Sequence, residues 1–203
     1  FQELLKTVQP RSLEDLSMLL ALGRPGPIGE ARRLVRRRRG EESPDPIHRD
    51  LQAVTETTFG IFLYQEQLLQ AAQIVGGLSL AEADLLRRAM GKKDPALFDQ
   101  WKSLFVQGAQ SRGLVKQEAQ RVFSAMESFA GYAFNKSHSI SYGKLVYQCA
   151  YMKAHYPAAF FSVWLHFTDH QEKEALLVDA LESDVTLLPP DIRFSRLFSS
   201  VEG

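Results

Sequence analysis

Ser79-Leu80-Ala81-Glu82-Ala83-Asp84-Leu85-Leu86-Arg87-Arg88-Ala89-Met90-Gly91-Lys92-Lys93 is the stretch that decides the fold class. Ser79 with Glu82 three residues later forms a capping box: the hydroxyl accepts from the third helical amide while the carboxylate reaches back to the amide of the cap residue itself. Leu80, Ala83, Leu86 and Met90 then recur every three or four residues, which puts them on one apolar stripe anchored to a core. Gly91 ends the helix. The period is that of an α-helix, and it returns in both directions along the chain.

Upstream, Ser12 caps a helix whose Leu13, Leu16 and Leu20 keep helical spacing until Gly23 stops it. Arg24-Pro25-Gly26-Pro27 is a turn. Residues 29–39 form a helix that is nearly all arginine outside Ala31, Leu34 and Val35, and Ser43-Pro44-Asp45-Pro46 is an exposed loop. A short helix near 47–54 precedes Ile61-Phe62-Leu63-Tyr64, an extended or buried entry to a helix that Gly76-Gly77 breaks. Downstream, Asp94-Pro95 opens a helix carrying Trp101, Phe105 and Ala109, and Gly113 closes it. The next helix carries Ala119, Val122, Phe123, Met126 and Phe129. Another runs from about Ser139 to His155, and two more pieces reach Leu181. Only Val185 to Pro190 reads as a strand followed by a breaker.

The composition is that of an ordinary globular domain, with 45% hydrophobic and 24% charged residues in 203. No apolar run approaches the roughly 20 residues of a membrane span, and a single cysteine, Cys149, points to a reducing, cytoplasmic setting. Phe1-Gln2-Glu3 has neither an initiating Met nor a signal-peptide pattern, and reads as a cut end. Net charge is zero, but it is unevenly spread. From Asp169 onward eight acidic residues face three basic ones, leaving 21 Lys/Arg against 16 Asp/Glu in residues 1–168. Basic clusters on a neutral chain indicate a phosphate-bearing partner at a defined place.

No phosphate-binding glycine loop, dinucleotide fingerprint, HExxH or CxxC motif is present, and the five histidines lack metal-ligand spacing. No aspartate pair flanks an apolar strand, as a two-metal site requires. Three constellations remain. Arg87, Arg88, Lys92 and Lys93 place four cations within seven residues, which suits a triphosphate; by composition alone they read rather as a solvated helix end in which Asp84 pairs with Arg88. Phe129 to Ser139 gathers aromatic rings, Asn135, Lys136 and His138 in one interhelical loop, suited to stacking on a base and neutralising phosphate. There Ser137 or Ser139 reads also as a cap, and Tyr132 or Phe134 as core. Arg32, Arg33, Arg36, Arg37, Arg38 and Arg39 form a helix with too little apolar face to be buried, suited to a duplex backbone or to a solvated arm.

These stretches resemble one family when taken in order. Arg24-Pro25-Gly26-Pro27, Tyr64-Gln65-Glu66-Gln67, Ala83 to Lys93, Phe129-Ala130-Gly131-Tyr132 with Phe134 to Ser139, Lys153-Ala154-His155-Tyr156-Pro157 and Leu188-Pro189-Pro190-Asp191 are similar to the C-family bacterial DNA polymerase III alpha subunits. The resemblance implies an all-α, mainly helical fingers domain with a short strand-like segment near the C-terminus. It implies fingers over 1–168 and a connection to a following region over 169–203. The implied function is receipt of the incoming dNTP and hold on primer-template DNA in a nucleotidyltransferase, with the fragment alone inactive. A non-catalytic helical nucleic-acid-binding module is the alternative.

By the same resemblance Arg87 and Arg88 contact the triphosphate, and Lys92 and Lys93 extend that positive surface. Tyr132, Phe134, Asn135, Lys136 and His138 shape the base and sugar side, Arg24 joins them, and Arg32, Arg33, Arg36 and Arg37 touch DNA. The Mg2+ ligands, and the contacts to the sliding clamp and other replisome subunits, lie outside this stretch. Gly23 stands where the family usually has an aromatic residue, and Ala133 where a second glycine is usual.

Overall fold

The computed structural model describes residues 2–24, 27–91, 95–189, 191, 193 and 200–201. Its elements are α1 (Gln2–Val8), α2 (Leu13–Leu22), α3 (Ile28–Arg38), α4 (Gln52–Thr55), α5 (Gln65–Ile74), α6 (Leu80–Gly91), α7 (Pro95–Ser111), α8 (Lys116–Ala130), α9 (Lys136–His155), α10 (Pro157–Phe167) and α11 (His170–Glu182), with single 3-10 turns on either side of α4. Among the described residues the only β pairing is an isolated parallel bridge between Tyr64 and Phe134. The all-helical expectation holds.

Residues 185–189 take no regular structure, which corrects the expected strand. β-branched residues favour an extended backbone, but a strand exists only where a neighbour takes up its N–H and C=O groups. Here the Val185 amide goes back to the Ala180 carbonyl at 3.0 Å, and no strand pairs with the segment among the described residues.

The chain divides into two compact units, residues 1–143 and 144–203, with the division inside α9. In the first unit the main core joins α5, α6, α7 and α8. Ala119, Val122, Phe123 and Met126 line one face of α8 at i, i+3, i+4 and i+7, and all are buried. Phe123 is the hub: Phe98 and Phe105 each lie 5.4 Å from its ring, in edge and tilted contacts. Burial of one such side chain contributes about 1.5–3 kcal/mol. A second cluster joins Met18, Ala21 and Leu22 of α2 to Leu34, Ile61, Leu63 and Tyr64.

Two stripes lie differently from their sequence reading. On α2 the buried positions are Ser17, Met18, Leu19, Ala21 and Leu22, not Leu13, Leu16 and Leu20. That helix is covered from several sides, Ser139 of α9 donating a buried hydrogen bond to the Ser17 carbonyl on one of them. Leu80 is 61% exposed; at the first helical position it precedes the turn that meets the core, and Ala83, Leu86 and Ala89 do the anchoring.

The second unit holds the end of α9 with α10 and α11. Lys153 Nζ sits 2.7 Å from both Asp179 carboxylate oxygens and 5.5 Å from the Phe161 ring centre. Phe161 and Ala180 are its buried apolar residues among those described.

Candidate functional site

The capping box opening α6 forms as read. The Ser79 amide donates to Glu82 Oε2 at 2.8 Å and the Glu82 amide to Ser79 Oγ at 3.3 Å. With Ala83, Leu86 and Ala89 locked into the core, the helix presents Arg87 and Arg88 on its other side. Both reach back to one carboxylate. Arg87 Nε and Nη2 lie 3.0 and 2.8 Å from Asp84 Oδ1, and Arg88 Nε and Nη2 lie 2.8 and 2.7 Å from Oδ2. The Arg87 hydrogen bond, with help from Arg88, holds the Asp84 carboxyl below the usual carboxylate range. Arg87 is 25% exposed and Arg88 62%, so each keeps donors toward water. Lys92 and Lys93 lie outside the described residues.

The aromatic loop is built by long-range backbone pairing. The Phe134 amide donates to the Leu63 carbonyl at 3.0 Å and the Gln65 amide to the Phe134 carbonyl at 2.9 Å, which makes the Tyr64–Phe134 bridge. Asn135 caps α9: its Oδ1 accepts from the His138 amide at 2.8 Å and the Ser137 hydroxyl at 2.6 Å. Neither Ser137 nor Ser139 is the cap, and α9 begins at Lys136, three residues earlier than read. Glu66 accepts the Lys136 amide at about 3.0 Å, an anionic group at a helix N-terminus, where the dipole favours it.

Arg24 joins this loop. Its Nη2 donates to the Tyr132 carbonyl at 2.7 Å, its Nε to the Ala21 carbonyl at 3.2 Å, and its guanidinium lies 4.1 Å over the Phe134 ring. His138 packs edge-on to Phe134 and against Tyr142, 4.4 Å away. Tyr132, Asn135, Lys136 and His138 are exposed and Phe134 half-buried. The structure thus brings Arg24, Tyr132, Phe134 and His138 together. Among the described residues no hydrogen bond, ion pair or ring contact links them to Arg87 or Arg88. The two sets share only the main core, on which Ala133 also packs.

Gln67 is what the loop rests on. It is buried, its Oε1 accepts from the Leu63 and Tyr64 amides at 2.8 and 2.9 Å, and its Nε2 donates to the Val54 carbonyl and Thr58 Oγ1. Gln67 stands in the Tyr64-Gln65-Glu66-Gln67 stretch, where linear spacing alone assigns it no task. A glutamine on the apolar side of a helix beside an extended entry is the signal that finds it, since a buried amide needs partners. Beside it, burial pushes the Tyr64 phenol up to about 12.

The arginine helix departs most from expectation. α3 is anchored, not free: Ala31, Leu34 and Val35 are buried, and so is Arg37, at 5% exposure. Arg37 Nη1 donates to the Phe59 carbonyl at 2.6 Å, at a residue held in the left-handed region (φ 53°). Its Nε meets Glu42 Oε1 at 2.9 Å. Three correctly spaced apolar residues suffice to dock an eleven-residue helix, and the Arg37 guanidinium is buried against a carboxylate and a carbonyl that take its Nε and Nη1 donors. Glu42 also takes Arg33 Nε at 2.9 Å and Arg36 Nε and Nη2 at 3.1 and 2.9 Å. Asp15 takes Arg38 in a two-pronged pair at 2.7 and 2.8 Å. Arg32 is exposed and has no side-chain partner among the described residues.

Hydrogen bonds from Arg33, Arg36 and Arg37 draw the Glu42 carboxyl from 4.5 down to about 2. A depressed carboxyl pKa favours the folded state above its unfolded value and loses that contribution as pH falls through the folded one. The clamp is therefore expected to be intact above pH 4.5 and lost towards pH 2. A carboxyl-carbon NMR titration of Glu42 is expected to give a midpoint near 2; a midpoint near 4.5 contradicts the three-arginine geometry.

Among the described residues no three His, Cys, Asp or Glu side chains gather into a metal-binding group. Glu42 and Asp84, the carboxylates beside the arginines, are already occupied by guanidinium donors, a poor fit to a Mg2+ ligand set. Nor is any helix long and apolar enough to cross a membrane among these residues.

The described residues thus form a sheetless helical fold that carries arginines in two groups and an aromatic loop tied to its core. The family profile described as bacterial DNA polymerase III alpha subunit finger domain matches residues 1–113, and this chain belongs to that family. It is 41% identical over its whole length to the DNA polymerase III subunit alpha of Aquifex aeolicus, and 44% identical over 94% of its length to that of Escherichia coli K12. The Vibrio cholerae subunit is 43% identical over 94%. The chain spans 17–18% of the length of these curated relatives.

Proposed function

We propose that this chain forms the nucleotide-receiving and DNA-holding part of a bacterial DNA polymerase III alpha subunit working in the cytoplasm. The observation that carries the reading is the Arg87–Asp84–Arg88 arrangement. Two forked cations are tethered to one carboxylate on a helix whose opposite face is fixed in the core. Phosphoryl transfer asks the protein mainly for positioning and charge stabilisation. A pre-set guanidinium pair supplies both for a triphosphate, because it neutralises charge on the departing pyrophosphate without reorganising. Mg2+, held by ligands of the full-length polypeptide outside these residues, would supply activation of the primer hydroxyl. Contacts to the sliding clamp and other replisome subunits likewise belong to other regions.

In this reading Arg24 acts by holding the loop: two of its donors and its face are already engaged. Tyr132 and His138 offer aromatic surface to base and sugar, and Lys136 offers a mobile charge, while Asn135 orients α9. Lys92 and Lys93 extend the positive surface. On α3 the outward arginines Arg32, Arg33 and Arg36 face DNA, and Arg37 supports them from within.

Arg88→Ala in the full-length polymerase is expected to lower kcat/KM for dNTP about 100-fold, the scale of one lost transition-state donor. Affinity for primer-template stays within about twofold. Steady-state primer extension with varied dNTP reads both; an unchanged kcat/KM removes Arg88 from the triphosphate site.

A further inference from the structure

We propose that Glu42 is an intramolecular stand-in for a phosphate, closing an arginine surface on α3 that takes the backbone of duplex DNA once the carboxylate is displaced. The inference rests on the DNA-holding role proposed above and adds what gates it. Three guanidinium groups meet one carboxylate, through Arg33 at 2.9 Å, Arg36 at 2.9 and 3.1 Å and Arg37 at 2.9 Å. The arginine fork accepts carboxylate and phosphate oxygens with the same geometry and sign.

The arrangement is solid within and exchangeable outside. Arg37 is 3% exposed at its side chain and also holds Phe59, so it stays in place. Arg33 and Arg36 are 48% and 54% exposed and Glu42 27%. Ion pairs this close to water are individually weak, so one anion replaces another at little net cost. The backbone permits it too. Gly40 (φ 73°) and the Glu41 amide, which donates to the Arg36 carbonyl, complete the helix cap. Glu42 is the first residue past that cap, and its side chain turns away without breaking a helical hydrogen bond. Arg32, Arg36 and Arg39 are exposed at i, i+4 and i+7, a stripe along which a phosphate backbone runs. Withdrawing Glu42 removes the central negative charge in its path and leaves only the looser pairs at the ends, Glu30 at 3.8 Å from Arg33 and Glu41 at 3.9 Å from Arg39.

The test is a fluorescence-anisotropy titration of primer-template duplex with the full-length protein at several salt concentrations. Glu42→Gln keeps the shape and removes the charge. It is expected to tighten binding three- to tenfold at low salt, with a log K against log salt slope steeper by about one. Adding Arg33→Ala and Arg36→Ala abolishes the gain. Arg32→Ala, which leaves the clamp untouched, is expected to weaken binding two- to threefold with a shallower slope.

If Arg32→Ala weakens binding while Glu42→Gln leaves it unchanged, the gate is overturned and the DNA-binding face stands. If neither moves affinity or slope, both are overturned. Should the glutamine variant lose its fold, Glu42→Asp retains the charge that Arg37 needs but draws it back from Arg33 and Arg36. It is then expected to tighten binding about twofold, and no change overturns the gate.

Discussion

Gln67→Leu is expected to destabilise the 61–67 and 132–134 region by about 3–5 kcal/mol, among the largest effects of any single substitution outside the apolar core. The side chain makes four hydrogen bonds from a buried position. Leucine fills the volume but leaves the Leu63 and Tyr64 amides without an acceptor, and each orphaned buried group costs about 1–3 kcal/mol. The Val54 carbonyl and the Thr58 hydroxyl lose a donor as well, although Thr58 still donates to Ile61 at 2.6 Å.

The damage travels to the candidate site by one backbone step, because the Leu63 carbonyl that pairs with the Phe134 amide belongs to the residue Gln67 holds. In a long polypeptide global unfolding is not two-state, so the measurement is local. Hydrogen exchange at the Phe134 amide in the full-length protein is expected to speed up about 100-fold or more. Gln67→Glu, which keeps the acceptor and loses the donor, is expected to fall between. Unchanged exchange at Phe134 contradicts the coupling.

Gly108→Ala is the second large effect. A Cβ at Gly108 overlaps the carbonyl oxygen of Gly76 and lies 2.9 Å from its carbonyl carbon. The obstacle is backbone, so no rotamer change relieves it. Gly76 is itself enclosed: a Cβ there meets the Ala72 carbonyl oxygen at 2.7 Å and the Phe105 ring closer still. Neither chain segment gives way without moving α5 or α7. Overpacking costs typically 1–3 kcal/mol and occasionally more, and a clash with a fixed carbonyl belongs at or above the top, about 3 kcal/mol. In the full-length protein the loss is read locally, as hydrogen exchange in α5 and α7 faster by about 100-fold. Exchange there within about twofold of wild type contradicts this close approach. The Gly76–Gly77 link carries α5 into α6, so the same substitution is expected to disturb the Arg87–Arg88 helix before it disturbs the aromatic loop.

Comparison of α6 with α3 shows which features are local. On α6, Ser79 and Glu82 cap and Asp84 pairs with Arg88 because partners three and four residues apart meet on any helix. The structure adds Arg87 to that pair at i+3 and leaves Leu80 exposed. On α3 the count of arginines reads as a helix with too little apolar face to be buried. Whether an arginine is buried depends on which oxygens surround it, and those of Glu42 and Phe59 come from five and 22 residues away. Burial of Arg37 has no periodic signature.

The sequence by itself determined most of the helices, the caps at Ser12 and Ser79, the helical class and the family, all of which rest on residues a few positions apart or on motifs in linear order. Tertiary structure alone decided the rest. It docked Arg24 on Tyr132 and Phe134 across 108 residues of chain and bridged Tyr64 to Phe134 across 70. It also placed Gln67 beneath that bridge, pressed Gly108 against Gly76 and closed three arginines on Glu42. The physical reason is that caps and stripes are satisfied within one turn of helix, whereas a buried amide, guanidinium or bare backbone is satisfied by whatever the fold brings beside it.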